Sequence, residues 1–201
     1  MPRLTVGGAE IGVLEAGTGT PVVLLHCSAG SAAQWRRLSE TLAGHHRVLA
    51  PHLHGHGDSD PWPGPGPLAL AAEGAIVAAL GERAGEPVHL VGHSYGGAVA
   101  LRFAWAHPDH VRSLTLIEPV AFPLLRDSVA PDDGAALRSI EALAAAVARG
   151  DMGSFVDFWN GDGAWAALPE ERRAGLSRLA GTVAGHFGAA DSEARHLRPV
   201  R

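Results

Sequence analysis

The segment PVHLVGHSYGGAVALRFAWAHP, residues 87–108, constrains the fold of this chain more than any other. A short apolar run from Val88 to Val91 is typical of a strand that is buried on both faces. This run meets a glycine-rich turn, and an apolar helical pattern begins directly after the turn and stops before Pro108. The segment therefore predicts a buried strand that turns sharply into a helix, with Ser94 at the turn.

Ser94 lies between Gly92 and Gly96 in a Gly-x-Ser-x-Gly pattern. A nucleophilic serine on a strained strand-to-helix turn needs small neighbours on both sides, because the backbone comes too close for a Cβ. The helix N-terminus beyond it supplies amide N–H groups for an oxyanion. A helix N-cap serine is the alternative, but it leaves the two glycines unexplained. A phosphate-binding loop is disfavoured because the chain has no lysine.

Up to Pro119 the chain alternates apolar runs with helical patterns. The runs at 21–26, 46–53 and 111–119 predict further strands, and Gly7-Gly8 predicts an N-terminal hairpin. Strands that alternate with helices indicate βαβ units and a mostly parallel sheet covered on both faces. Beyond residue 120 the periodicity is helical only, which is the pattern of an inserted helical cap.

Together these motifs resemble the α/β-hydrolase fold family, in the branch that carries a helical cap. Besides the Ser94 turn, the resemblance rests on LLHCSAGSAAQW (24–35), APHLHGHGDSD (50–60) and the cap-like FVDFWNGDGAW (155–165). It implies an α/β fold of the α/β-hydrolase type, with a mostly parallel sheet and an inserted helical cap. The implied division is an N-terminal part of the core at 1–119, a cap at 120–195 and the start of a return to the core at 196–201.

The resemblance also assigns roles around the turn. It implies that Ser94 is the nucleophile and that the backbone amides of Tyr95 and Ser28 hold the oxyanion. Cys27 stands where the family usually has glycine, and His26 is expected to order this loop. The implied reaction is hydrolysis of a carboxylic ester or related acyl bond through an acyl-enzyme, without a cofactor.

In this family an acid and then a histidine follow the nucleophile, and the resemblance puts both beyond Arg201. The chain is therefore expected to be C-terminally truncated and a weak catalyst by itself. Glu118, at the end of a predicted strand, is a candidate substitute for the acid; the alternative is a carboxylate that holds the first turn of the cap. His186 and His196 lie downstream, as a base should, but neither matches the family position.

Two other function classes stay open on the sequence alone. His52, His54 and His56 alternate in PHLHGHGD, and three imidazoles on one face of an extended strand would suit a zinc ion. Gly55 and Gly57 instead favour a turn, which would scatter the rings. The third class is a catalytically incomplete relative that binds a ligand or is a remnant.

The expected partner is a small, largely apolar molecule. A net charge of −5 without a basic run argues against nucleic acid and anionic membranes. The single cysteine excludes an internal disulfide. No apolar run is long enough for the core of a signal peptide or for a membrane span. We therefore expect a soluble cytoplasmic protein, and the sequence leaves its oligomeric state open. The aromatic residues that suggest the apolar pocket, or alternatively the cap's own core, are Phe155, Phe158, Trp159 and Trp165.

Overall fold

A six-stranded sheet forms the centre of the protein. The computed structural model describes residues 1–126, 128, 130 and 132–193. The strands are β1 (Arg3–Val6), β2 (Ala9–Ala16), β3 (Thr20–Leu25), β4 (His46–Pro51), β5 (Val88–His93) and β6 (Val111–Ile117). Their order is β1-β2-β4-β3-β5-β6, with antiparallel pairing of β1 with β2 and of β2 with β4 and parallel pairing elsewhere. The mostly parallel sheet predicted from the sequence is confirmed.

Helices cover both faces of this sheet. They are α1 (Arg36–Leu42), α2 (Leu70–Ala84) and α3 (Tyr95–Ala106), and a 3₁₀ turn (Ala32–Trp35) precedes α1. Because side chains alternate along a strand, Val23 and Leu25 of β3 join the core under α2 and α3, whereas Val22 and Leu24 pack with Trp35 on the other face. The continuous apolar run of β3 therefore reflects burial on both sides.

Glycines form the turn after β1 and the C-terminal cap of α2. Gly7 and Gly8 have φ angles of 57° and 88° and form the two-residue turn between β1 and β2. Gly85, with φ at 77°, caps the C-terminus of α2 in the left-handed conformation. In both places a side chain would make the backbone conformation costly.

After β6 the described residues form helices and no strand. A 3₁₀ turn (Phe122–Arg126) leads to α4 (Asp133–Ala148), α5 (Met152–Asn160), α6 (Ala164–Ala167), α7 (Glu170–Arg178) and α8 (Ala180–Glu193). This helical section has its own apolar cluster, in which Leu143 and Val147 of α4 pack with Met152 and with Val183 of α8. The domain boundaries stay predictions, and 196–201 lie outside the described residues. Within the described ranges, no helix is both long and apolar enough to cross a membrane.

A buried polar pair joins the loop after β4 to α2. The His54 ring nitrogen Nδ1 lies 2.9 Å from Glu73 Oε2, and the His54 backbone N–H donates to the same oxygen at 3.3 Å. Both side chains are almost wholly buried, at 1% and 0% exposure. Glu73 therefore fixes the loop that contains His56, which reaches the candidate site described below.

Replacing Glu73 tests this link. Glu73→Ala leaves the buried His54 ring nitrogen and amide without their acceptor, so we expect a loss of about 1–3 kcal/mol in the free energy of unfolding. Urea unfolding measures this, and Glu82→Ala, on the exposed face of the same helix, is the matched control. Equal stability of the two variants would contradict the structural role of Glu73.

Candidate active site

Ser94 forms the junction between β5 and α3. Its backbone has φ 53° and ψ −117°, a combination that is costly for any residue with a side chain. The Ser94 N–H donates to the Ile117 carbonyl at 2.9 Å, and the Val120 N–H donates to the Ser94 carbonyl at 3.2 Å. These bonds hold the strained turn against the end of β6. Ser94 thereby lines cavities between the sheet edge and the helical section.

The glycines on either side of Ser94 are required by close packing. A Cβ on Gly96 would lie 2.5 Å from the Leu25 carbonyl oxygen and 2.6 Å from that of His26. A Cβ on Gly92 would collide with the Gly96 carbonyl oxygen across the turn. The first turn of α3 therefore touches the end of β3 directly. This contact brings the loop after β3 next to Ser94.

The loop after β3 is ordered by His26. The His26 Nδ1–H donates to the Cys27 carbonyl at 2.8 Å, while Nε2 accepts from the Leu53 backbone N–H at 3.0 Å. Among the positions described, the positive φ in this loop falls on Ala29, at 56°, and not on Cys27. A cysteine therefore fits where the resemblance implies glycine. The Ser28 N–H has no acceptor among the described residues, which leaves it available to an oxyanion.

His186 of α8 reaches this site from the helical section. Its Nδ1 lies 2.8 Å from the Ser28 hydroxyl, and its ring stacks on the Tyr95 ring with centroids 3.6 Å apart. It also stacks on His56, at 5.1 Å. The sequence offered one signal for this position, because Val183 and Ala190 lie at helical spacing from His186 and share its buried face.

Three of the buried histidines are held neutral. Burial, and then the neighbouring His56, lowers the pKa of His26 from 6.5 to about 3. Burial, followed by the charges that His56 and His26 would carry, holds the pKa of His186 well below 6.5. Burial also lowers the pKa of His56. Neutral rings fit their contacts, because His26 Nε2 must accept a hydrogen bond.

Glu118 follows β6 and lies at the mouth of the site. Its side chain is 85% exposed, and its carboxylate is 3.7 Å from His93 Nε2. The other ring nitrogen of His93 lies 3.0 Å from the Gln34 amide. Glu118, His93 and Ser94 line the same cavity. Among the described residues, however, the Ser94 hydroxyl has no hydrogen-bond partner, and His196 lies outside them.

His52, His54 and His56 do not form a metal site. His52 Nδ1 accepts from the Ala32 N–H at 3.2 Å, whereas His54 pairs with Glu73 and His56 Nδ1 donates to the His54 carbonyl. The chain turns at Gly55 and Gly57, with φ at 72° and 51°, and the three rings have different hydrogen-bond partners. In the part of the chain that the structure describes, no cluster of histidine, cysteine or carboxylate side chains could hold a metal ion.

Ser94 and Ser28 lie between two cavities. The outer one, of about 310 Å³, has the polar side chains of His93, Glu118 and Asn160 in its wall. The inner one is only about 20 Å³ and is mostly apolar. Of the aromatic residues singled out in the sequence, Phe155 and Trp159 line both cavities, whereas Phe158 is 44% exposed and Trp165 packs inside the helical section.

Comparison with known proteins gives a consistent result. A family model described as alpha/beta hydrolase fold matches residues 20–156. A 2-hydroxy-6-oxo-2,4-heptadienoate hydrolase of Pseudomonas putida is 35% identical over 117 residues, which are 57% of this chain and 42% of that protein. A soluble epoxide hydrolase of Corynebacterium sp. is 34% identical over 57% of this chain and 40% of that protein. The matches thus span less than half the length of these relatives.

A solved structure supports the same assignment over more of the chain. A hydrolase from Pseudomonas aeruginosa superposes with a TM-score of 0.71 and 26% identity, over 95% of this chain and 72% of that one. The three proteins named above are hydrolases, and their names cover different bonds.

The close contact at Gly96 can be tested by adding one methyl group. Gly96→Ala should lower the free energy of unfolding by about 1–3 kcal/mol, because the new Cβ overlaps the carbonyl oxygens that end β3. The matched control is Gly44→Ala, since a Cβ there meets nothing within 4 Å. Denaturant unfolding compares the two. A Gly96→Ala variant as stable as Gly44→Ala would refute the packing argument.

The neutral histidines predict loss of stability in acid. Their pKa values are lower in the fold than the ordinary 6.5, so the unfolded chain binds more protons below that pH. Their contribution is complete above about pH 6.5 and is lost progressively as the pH falls below that value, toward about 3 for His26. His186→Phe keeps a ring against Tyr95 but does not titrate, so its stability should fall less steeply over this range.

The measurement is the free energy of unfolding as a function of pH for both proteins. Only the slopes are compared, because His186→Phe also removes the partner of the Ser28 hydroxyl at every pH. His45→Phe replaces an exposed histidine and controls for the exchange of an imidazole for a phenyl ring. Identical slopes for the parent and His186→Phe would show that His186 is not held neutral.

Proposed function

Because the chain belongs to the α/β-hydrolase fold family, we propose that it hydrolyses a carboxylic ester or related acyl bond with Ser94 as the nucleophile. The observation that carries the proposal is the strained turn at Ser94, with φ 53° and ψ −117°, which faces a cavity beneath the helical section. Strain of this kind persists only where the surroundings enforce it, and it clusters at active sites. In this proposal the helical section acts as a cap over the site.

The proposed chemistry follows from the groups around Ser94. The hydroxyl oxygen attacks the ester carbonyl carbon, and the carbonyl oxygen becomes an oxyanion. The backbone amides of Tyr95 and Ser28 stabilise this charge: Tyr95 is the first residue of α3, and the N-terminus of a helix favours negative charge. Collapse of the intermediate expels the alcohol and leaves an acyl-serine, which water hydrolyses to release the acid.

A general base must take the Ser94 proton, and no described histidine fills that role in this proposal. His186 is the nearest candidate by position, because it lines the inner cavity with Ser94. Burial keeps its ring neutral by destabilising the protonated form, and its Nδ1 is already bonded to Ser28. A base must become protonated, so this environment disfavours His186. In this proposal the base and its carboxylate lie outside the described residues.

A ligand-binding protein without turnover is the second candidate. It is favoured by the Ser94 hydroxyl, which has no hydrogen-bond partner within the described ranges. The walls around Ser94 support the same class of small, largely apolar ligand in either case, since Val120, Phe155 and Trp159 contribute to them. Reactivity of the serine separates the two candidates.

Covalent labelling of Ser94 is the decisive experiment. The proposal predicts that an alkyl fluorophosphonate slowly adds one adduct per chain, because the oxyanion donors support a residual rate without the base, and that Ser94→Ala abolishes the adduct with little change in melting temperature. Ser139→Ala, an exposed serine that bonds only within α4, should label like the parent. Intact-mass spectrometry and peptide mapping locate the adduct. A folded chain that does not label at Ser94 would leave the ligand-binding candidate.

A further inference from the structure

The inner cavity at Ser94 is far too small for a long chain. Its free volume is about 20 Å³, which is room for about one water molecule. Two phenylalanine rings close it on the side of the helical section: Phe122 and Phe187 stack with centroids 6.3 Å apart and planes 19° from parallel. Phe155 meets Phe187 edge-on at 6.4 Å and supports it.

A second cavity begins behind the same two rings. It measures about 300 Å³, and Phe122 and Phe187 line it as well as the inner cavity. Its other walls include Leu137 and Ile140 of α4 and Ala184 of α8. Arg126, which pairs with Asp191 at 2.5 Å, lies at its polar side. The two rings are thus the partition between the space at Ser94 and an apolar space of ligand size.

We propose that Phe122 and Phe187 set the acyl-chain length, so that the protein takes esters of short acyl groups and excludes longer chains. This inference rests on the proposed function. The acyl group remains bonded to the serine until water attacks, so the small cavity beside Ser94 limits the length of chain that can be held there. The alcohol must leave, and the outer cavity, with the exposed Glu118 in its wall, gives it a route to solvent.

The partition is testable because each of the two phenylalanine side chains can be truncated separately by substitution. Phe187→Ala or Phe122→Ala joins the inner cavity to the space behind it, and a chain of several methylenes then has room. Phe158→Ala is the matched control: Phe158 is a partly exposed phenylalanine that contacts Trp159 and lines neither cavity. Melting temperatures identify any variant whose helical section is destabilised. Phe187→Leu is then used in place of that variant.

The first readout is the rate of labelling by two ethyl fluorophosphonates, one with a methyl and one with an octyl group on phosphorus. The Ser94 oxygen–phosphorus bond forms as the phosphorus–fluorine bond breaks, and fluoride leaves together with the hydroxyl proton. The parent and Phe158→Ala should prefer the methyl probe by about tenfold or more. Either partition variant should lose most of that preference. An unchanged preference in folded partition variants would overturn the inference.

The second readout does not need a reactive serine. In a Ser94→Ala background, calorimetric titration compares binding of 2-octanone, a neutral carbonyl compound with a six-carbon chain, with and without Phe187→Ala. The inference predicts binding about tenfold tighter with the ring removed. Equal affinities would overturn it. If labelling fails but 2-octanone binding improves as expected, the proposed function fails and the partition stands.

Discussion

The contact between the first turn of α3 and the end of β3 is the constraint on which the rest of the site depends. Gly96 lies so close to the Leu25 and His26 carbonyls that a Cβ would overlap both oxygens. This approach forces Ser94 into its strained conformation and brings the loop of Ser28 next to it. Backbone packing thus brings the candidate nucleophile and one candidate oxyanion donor together. A site built in this way is positioned before any substrate arrives.

Buried imidazoles connect this constraint to the rest of the molecule. His26 ties the loop after β3 to the Leu53 amide, and His56 and His186 continue the ring contacts into α8. Each ring is buried against neighbouring rings and makes hydrogen bonds to uncharged groups, so its neutral form is favoured. The helical section is therefore attached to the sheet through neutral polar groups as well as apolar ones. The Ser28–His186 hydrogen bond is the polar link closest to Ser94.

The accuracy of prediction from the sequence depends on how local each constraint is. Some features depend only on neighbours in the chain, so patterns of a few residues indicate them. These features are the turn at Ser94, the order of strands and helices, and the glycine turn between His52 and His56. The partner of Ser28 is 158 residues away, and no local pattern links the two. Glu118 has a positive φ of 45° and a side chain that is 85% exposed, and the sequence around it indicates neither property. Val183 and Ala190 share the buried face of α8 with His186, but no local pattern shows what that face contacts.

The neutrality of His186 and the apolar inner wall have one cause, which is exclusion of water. Phe122, Phe155 and Phe187 line the inner cavity beside His186, and burial of that imidazole lowers its pKa. An amide dipole acts more strongly on a developing negative charge where water is excluded. The outer cavity differs, because His93, Glu118 and Asn160 place polar side chains in its wall. In the proposed reaction, the departing alcohol would therefore leave on the side of the exposed Glu118 carboxylate.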